Sequence, residues 1–358
     1  MGPMQHLQHF IFDFAGTLFD DAELSFFATQ ETILRLGGEK ISREVFFNEF
    51  TIPAETFYYK FLDKKIPFSE INSLYFEIYP EFAVKGSLRP GVMEVFEELK
   101  RQKKTISIFS TIAEPVLKKL VDFLHLDRFH PILKGGVLNK EADLKPFLNK
   151  HLFKAEETLY VGDMDIDVLA ANKSGVMSGA VLSRYQPLKK VAQAKPQIVW
   201  NSPIDLFEFL KTLEKRREVK KAKPYPVVTV GALVFNQKKE CLLILTDKWS
   251  YTFAIPGGKI DKDETSSDAL LREFQEETGL TLKEVSLFMV QDCIRSDEFY
   301  VPDSHFIFLN YIASTDTQHV VLNDEAQSFL WVDPKEALHL KLNHPTRLLI
   351  EKYVAAHL

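Results

Sequence analysis

Three glutamates in the last third of the chain, Glu273, Glu276 and Glu277, stand at i, i+3 and i+4. On a helix that spacing places them on one face, about 5–6 Å apart. Three carboxylates so close repel one another unless a cation sits among them, and hard oxygen donors select Mg²⁺ or Mn²⁺. Upstream, Gly257-Gly258 allows a tight turn and lets backbone approach a metal. Downstream, Gly279 suits the left-handed residue that ends a helix. With Glu264 and Arg272 these residues fit G-x5-E-x7-R-E-U-x-E-E-x-G-U, where U is apolar and Phe274 takes the first U. Chance gives that pattern on the order of 10⁻⁸ to 10⁻⁹ per window. An acidic solvated helix face would explain REFQEE, but not Gly258, Glu264 and Gly279 at their offsets. A second acidic set lies in the first half: Asp13, Asp163 and Asp167, with Ser110 and Lys140 between them in sequence.

The elements that must position these residues differ in the two halves. Before residue 213, apolar runs at 9–14, 105–110, 158–163 and 178–183 read as buried strands. Helical periodicity fills 91–103, 113–125, 143–152 and 166–174. Strands alternating with helices imply a parallel, Rossmann-like sheet with helices on both faces. Asp13, Ser110 and Asp163 then fall at strand C-termini, where sites in open α/β sheets collect. The long, mostly helical stretch before the second strand is too long for one crossover, so a helical cap over approximately 19–88 is expected. After residue 227 the pattern becomes α+β with a mixed sheet: strands at 227–235, 241–246, 305–313 and 328–333, and helices at 265–278 and 343–355. The Lys/Arg-rich 214–226, closed by Pro224 and Pro226, reads as a solvated linker. The expected division is thus 1–213, a linker at 214–226, and 227–358.

The segment Gly258–Leu280 resembles the Nudix hydrolase family. The resemblance implies Mg²⁺-dependent (or Mn²⁺-dependent) cleavage of nucleoside diphosphate-linked or nucleoside triphosphate substrates. Glu276 and Glu277 would be metal ligands, and Glu273 a ligand or the base that activates water. Arg272 would orient carboxylates, Glu264 would help close the loop, and Glu325 is either a further ligand or base or a solvated acid. Trp249, Tyr251, Phe253, His305 and Phe308 either stack on a base or pack. The N-terminal half resembles the haloacid dehalogenase-like (HAD) superfamily through D-F-A-G-T at Asp13–Thr17, Ser110, Lys140 and G-D-x-x-x-D at Gly162–Asp167. That resemblance implies Asp13 as nucleophile, Mg²⁺ among Asp13, Asp163 and Asp167, Ser110 or Thr111 holding phosphoryl oxygens, and Lys140 or its rival Lys145 neutralising phosphate. The family's second aspartate is Ala15 here, and losing an acid–base group typically costs about 10²–10⁴ in rate. Three readings stand at this point. The domain uses leaving groups that need no proton, as phosphonoacetaldehyde hydrolase does, though that enzyme needs a cap lysine and its cap signature is not found among Lys60, Lys64 and Lys65. Alternatively it is a non-catalytic module for ligand binding or dimerisation, or Ala15 is an engineered change.

Composition narrows the remaining classes. A net charge of −6 and a pI near 6.0 argue against a broad basic surface for nucleic acid. Cys241 and Cys293 are the two cysteines, with no CxxC, so two buried thiols in a reducing cytosol are expected. No apolar run reaches the ~18 residues of a membrane span. Met1-Gly2-Pro3 reads as a cloning remnant before a native start at Met4, not as a signal peptide. The expectation is a cytoplasmic two-domain hydrolase acting on small phosphorylated molecules.

Overall fold

The computed structural model describes residues 6–213, 222–301, 303–323 and 325–357. The start of the chain and 214–221 of the basic run lie outside the described residues. Two compact units are present, one over His6–Leu210 and one from Lys211 onward.

The N-terminal unit is built on six strands, β1 His9–Phe12, β2 Thr105–Phe109, β3 Ile132–Lys134, β4 Thr158–Gly162, β5 Met177–Val181 and β6 Ile198–Trp200. All pair in parallel, in the order β3-β2-β1-β4-β5-β6. Their apolar runs are buried because helices cover the sheet, as parallel sheets require. Phe12 is level with Ile108 on one side and Val161 on the other, so residues just beyond β1, β2 and β4 emerge together. That is the point where the strand order reverses, and a ligand crevice forms there.

The cap leaves and re-enters through a two-residue antiparallel pair, Phe19–Asp20 with Ser87–Leu88. Between them lie α1 Ala22–Arg35, α2 Arg43–Glu49, one turn at Glu55–Tyr58 and α3 Phe68–Ala83. Phe26, Ile33, Phe46, Phe57 and Ile71 form its core, which continues onto Met164 and Tyr185. The covering helices include α4 Val92–Arg101, α5 Glu114–Phe123, α6 Lys140–His151 and α7 Asp165–Ser174. Helix α6 starts three residues earlier than its periodicity suggests, because Asn139 caps it by accepting from the Ala142 N–H.

The C-terminal unit holds β7 Val227–Phe235, β8 Cys241–Thr246, β9 Thr252–Ala254, β10 Gly257–Lys259, β11 Lys283–Ile294, β12 His305–Ser314 and β13 Ser328–Val332. The sheet runs β9-β8-β7-β12-β11, with β10 also on β7 and β13 also on β8. It is mixed: β7 and β12 are parallel and the other pairs antiparallel. Helix α8, Ser266–Thr278, lays Ala269, Leu270 and Phe274 against Val230, Ala232 and Val234. Phe274 therefore faces the core. Helix α9 spans His344–His357.

Candidate active sites

Asp13, one residue past β1, meets Asp163, one past β4, and Asp167, in the first turn of α7. Each offers a carboxylate oxygen, all within 4.8 Å of one another, and all three residues are buried. Lys140 enters from the first turn of α6, 2.8 Å from Asp13 and 2.6 Å from Asp167. Burial alone would lower its ammonium, but Asp13 and Asp167 outweigh that and hold it charged. Asp167 is also fixed by the Tyr160 hydroxyl at 2.8 Å and the Met164 N–H at 3.1 Å. Asp163 accepts from Thr17 Oγ1 at 3.0 Å and Ser183 Oγ at 2.6 Å. Burial lifts Asp13 to about 7, with Lys140 pulling it back, and burial raises Asp163 as well.

These residues fit a divalent cation. Asp13 Oδ1, buried and close to the Lys140 ammonium, has no aligned hydrogen bond. Three carboxylates and one ammonium leave an excess of two negative charges, which a dication such as Mg²⁺ or Mn²⁺ cancels. This overturns the inference drawn from Ala15. The alanine lies outside the carboxylate cluster, and the triad of Asp13, Asp163 and Asp167 is intact, so the domain keeps a metal-binding centre that the reading built on Ala15 did not credit. The cap-lysine reading also fails, because Lys60, Lys64 and Lys65 are exposed and none lines the cavity over the site.

Lys145 is exposed, which leaves Lys140 at the centre. Ser110 is fully buried and its Oγ accepts from the Ile112 N–H, while Thr111 lines the cavity. Sequence reasoning missed Asp21. It is buried and accepts from the Gly16 N–H at 3.1 Å, Tyr79 Oη at 2.6 Å and Tyr185 Oη at 3.0 Å. The tyrosines lie 58 and 164 residues away, so no local pattern announces them.

In the C-terminal unit α8 carries the three glutamates, of which Glu273 lines a cavity of about 400 Å³. Glu277 is buried and accepts from the Gly257 N–H at 2.8 Å. Burial lifts it to about 8; Gly257 and Lys248 oppose the shift, and Glu325 and Glu273 add to it. Glu273 is also raised, first by burial. Arg272 holds the box together. It donates to both oxygens of Glu264 at 2.9 Å, to the Lys259 carbonyl at 3.0 Å and to Glu276 at 3.3 Å, and sits 3.1 Å from Glu273. Glu264 in turn accepts from the Asp261 N–H, tying the loop shut. At Gly258 a Cβ would lie 2.1 Å from the Glu273 carboxyl carbon, and at Gly257 it would lie 2.1 Å from the Val230 carbonyl oxygen. Gly279 ends α8 in the left-handed conformation. Glu276 is solvent-facing and paired with Arg272, so the three box glutamates do not converge as the three aspartates do.

Glu325 lines the same cavity and pairs with Lys248. Trp249 and Phe308 are on its wall with Phe299, Tyr300 and Phe306, whereas Tyr251 and Phe253 are core residues. His305 is not on the wall.

Comparison with known proteins agrees with both halves. The NUDIX domain family matches residues 225–353, and the haloacid dehalogenase-like hydrolase family matches residues 10–181. The chain is 32% identical over 100 residues to the nucleoside triphosphatase NudI of Escherichia coli K12, spanning 26% of this chain and 71% of that protein. The same-named protein of the Escherichia coli strain O17:K52:H18 is 31% identical over the same share. Among solved structures, a haloacid dehalogenase-like family hydrolase from Streptococcus pneumoniae superposes with a TM-score of 0.53 at 20% identity, over 57% of this chain and 99% of that one, a likeness of fold. No helix among the described residues is long and apolar enough to cross a membrane. The chain therefore joins an N-terminal haloacid dehalogenase-like domain to a C-terminal domain of the Nudix family, whose members hydrolyse phosphoanhydrides, and it belongs to that family.

Proposed function

We propose that the protein is a phosphohydrolase with two working centres. The observation that carries this reading is the buried convergence of Asp13, Asp163 and Asp167 around Lys140, which gives the N-terminal domain a charged centre of its own. There Asp13 attacks the phosphorus of a phosphorylated substrate and forms an aspartyl-phosphate. Asp163 and Asp167 hold the cation with it, Lys140 neutralises phosphoryl charge, and Ser110 or Thr111 bonds phosphoryl oxygen. In the Nudix domain Glu276 and Glu277 hold Mg²⁺ or Mn²⁺, and Glu273 is a further ligand or the base that takes a proton from water. When bound, the cation at either centre offsets phosphate charge and favours in-line displacement.

The Nudix substrate is a small nucleotide phosphoanhydride. Two features support this: the aromatic wall of Trp249, Phe299, Phe306 and Phe308, which suits a nucleobase, and the likeness to a nucleoside triphosphatase. The test replaces each centre separately. Glu277→Gln and Glu276→Gln should each lower Mg²⁺-dependent nucleotide hydrolysis by at least ~10²-fold with the fold intact. Asp13→Asn should abolish phosphate-monoester hydrolysis and leave nucleotide hydrolysis alone. Near-normal nucleotide turnover by both glutamate variants, or monoester turnover that survives Asp13→Asn, would sink the corresponding half.

A further inference from the structure

The N-terminal centre as drawn lacks a group to protonate the leaving oxygen, because Ala15 has no polar atom and Lys140 is already held by two carboxylates. Asp13, Ala15 and Asp21 line one cavity of about 160 Å³ between the sheet and the cap. Asp21 sits at the neck where the chain enters α1, one residue past the Phe19–Asp20 strand. Its carboxyl is 1% exposed and held in place by the Gly16 N–H, Tyr79 and Tyr185. Gly16 directly follows Ala15, so the hydrogen bond from Gly16 ties Asp21 to the loop that carries the missing group. The rest of the wall mixes apolar residues such as Phe50, Ile52 and Phe68 with hydroxyls such as those of Ser25, Tyr58 and Tyr75; Asp13 and Asp21 are the carboxyls on it.

We propose that Asp21 does the acid–base work that Ala15 cannot, giving a proton to the leaving oxygen and later taking one from water. The inference rests on the reading of Asp13 as nucleophile. In the first step the Asp13–phosphorus bond forms, the bond from phosphorus to the ester oxygen breaks, and that oxygen takes the Asp21 proton and leaves as the alcohol. In the second step the Asp21 carboxylate takes a proton from water. The water oxygen bonds to phosphorus, the Asp13–phosphorus bond breaks, and inorganic phosphate departs with Asp13 and Asp21 restored. Burial lifts Asp21 to about 6, against the pull of its three hydrogen bonds, so both protonation states lie within reach near neutrality. The apolar, aromatic wall implies an alcohol with a ring or other apolar body.

Two phosphate esters of similar shape test this on the full-length protein with Mg²⁺. Benzyl phosphate has a strongly basic leaving group and 4-nitrophenyl phosphate a weakly basic one. The wild type should turn over both at rates within about tenfold, since an acid is present. In rapid-mixing experiments Asp21→Asn should slow release of benzyl alcohol in the first turnover by about 10²–10⁴-fold and spare the first-turnover burst of 4-nitrophenol, while steady-state turnover of both esters falls because the second step has lost its base. Adding Ala15→Asp to that variant should restore benzyl phosphate turnover at least tenfold, a rescue that a purely structural role for Asp21 does not give. Equal first-turnover losses on both esters, no loss on benzyl phosphate, or a wild type whose first turnover is already 10²-fold slower on benzyl phosphate would overturn the assignment of Asp21. The last measurement needs no variant to fold. If Asp13→Asn is inert while Asp21→Asn matches the wild type, Asp21 alone is wrong; if the wild type cleaves neither ester, the nucleophile reading falls with it.

Discussion

Lys140 and Asp21 are opposite cases of a buried charge. Lys140 is 5% exposed and sits between two carboxylates, so it is the compensation that allows Asp13 and Asp167 to be buried at all. Removing one partner of a buried ion pair costs about 3–5 kcal/mol, because the other is left uncompensated. Lys140→Met should therefore lower stability by about that amount in chelator-treated protein, measured by urea unfolding. Added Mg²⁺ should return part of the loss, since a dication supplies the missing charge. A Lys140→Met protein as stable as wild type without metal would contradict the ion-pair account. Among the described residues no cation pairs with Asp21, and burial raises it from an ordinary 3.8 to about 6. Its contribution to stability is full below about pH 4, where folded and unfolded chains are both protonated. It is lost as pH rises through about 6, because only the unfolded chain ionises easily. A shift of this size corresponds to about 3 kcal/mol at pH 7. Asp21→Asn removes the titration and keeps an oxygen for Gly16 and Tyr185. The stability difference, variant minus wild type, should thus grow by up to about 3 kcal/mol between pH 4 and pH 7.5. A difference that does not change with pH would show that the carboxyl does not resist ionisation.

The turn ahead of α8 shows how an element sets the geometry of the Nudix centre. Gly257 and Gly258 are adjacent but do different work. A Cβ at Gly257 would strike the β7 backbone at the Val230 carbonyl, which cannot move without breaking the β10–β7 pairing. A Cβ at Gly258 would strike first the Glu273 carboxylate, the end of a side chain that can swing away. Gly257→Ala should therefore destabilise the C-terminal domain by about 2 kcal/mol or more, read by thermal unfolding. Gly258→Ala should fold nearly normally and lose ~10²-fold or more of nucleotide hydrolysis, because Glu273 is displaced. Equal thermal losses in the two variants would refute this division. The same contrast explains what could be read from sequence. The box was legible because each member is fixed locally: Gly258, Glu264 and Arg272 meet within one loop and two helical turns. The strands β1, β2, β4, β7 and β8 were legible because burial on both faces demands unbroken apolar runs. Strand β11 was not. It is an edge strand with a shifted register and polar residues among apolar ones, so Lys283–Ile294 has no clean alternation. Strands β3 and β6 are three residues each, too short for periodicity to register. Asp21 was missed because its meaning comes from Tyr79 and Tyr185, which only the folded cap and sheet bring to it.

At the scale of the whole molecule, the two proposed centres occupy separate compact units of one chain. Cleavage of a nucleotide phosphoanhydride leaves fragments that still carry phosphate, and the N-terminal centre as proposed acts on phosphoryl groups. Its cavity is walled by aromatic and apolar side chains, which suits a fragment bearing a ring. The two centres are therefore expected to act in series. The experiment gives the intact protein its best nucleotide substrate with Mg²⁺ and follows every phosphorus species by NMR. In the wild type, one phosphorylated fragment should appear and then decline as inorganic phosphate grows. Asp13→Asn should stop the reaction at the fragment, because the Nudix centre is untouched. Glu277→Gln should hold it at the starting nucleotide, yet the purified fragment added to that variant should still lose its phosphate. Fragments that persist in the wild type, with no inorganic phosphate released, would mean that the two centres serve unrelated substrates, and their presence on one chain would then need a different reason.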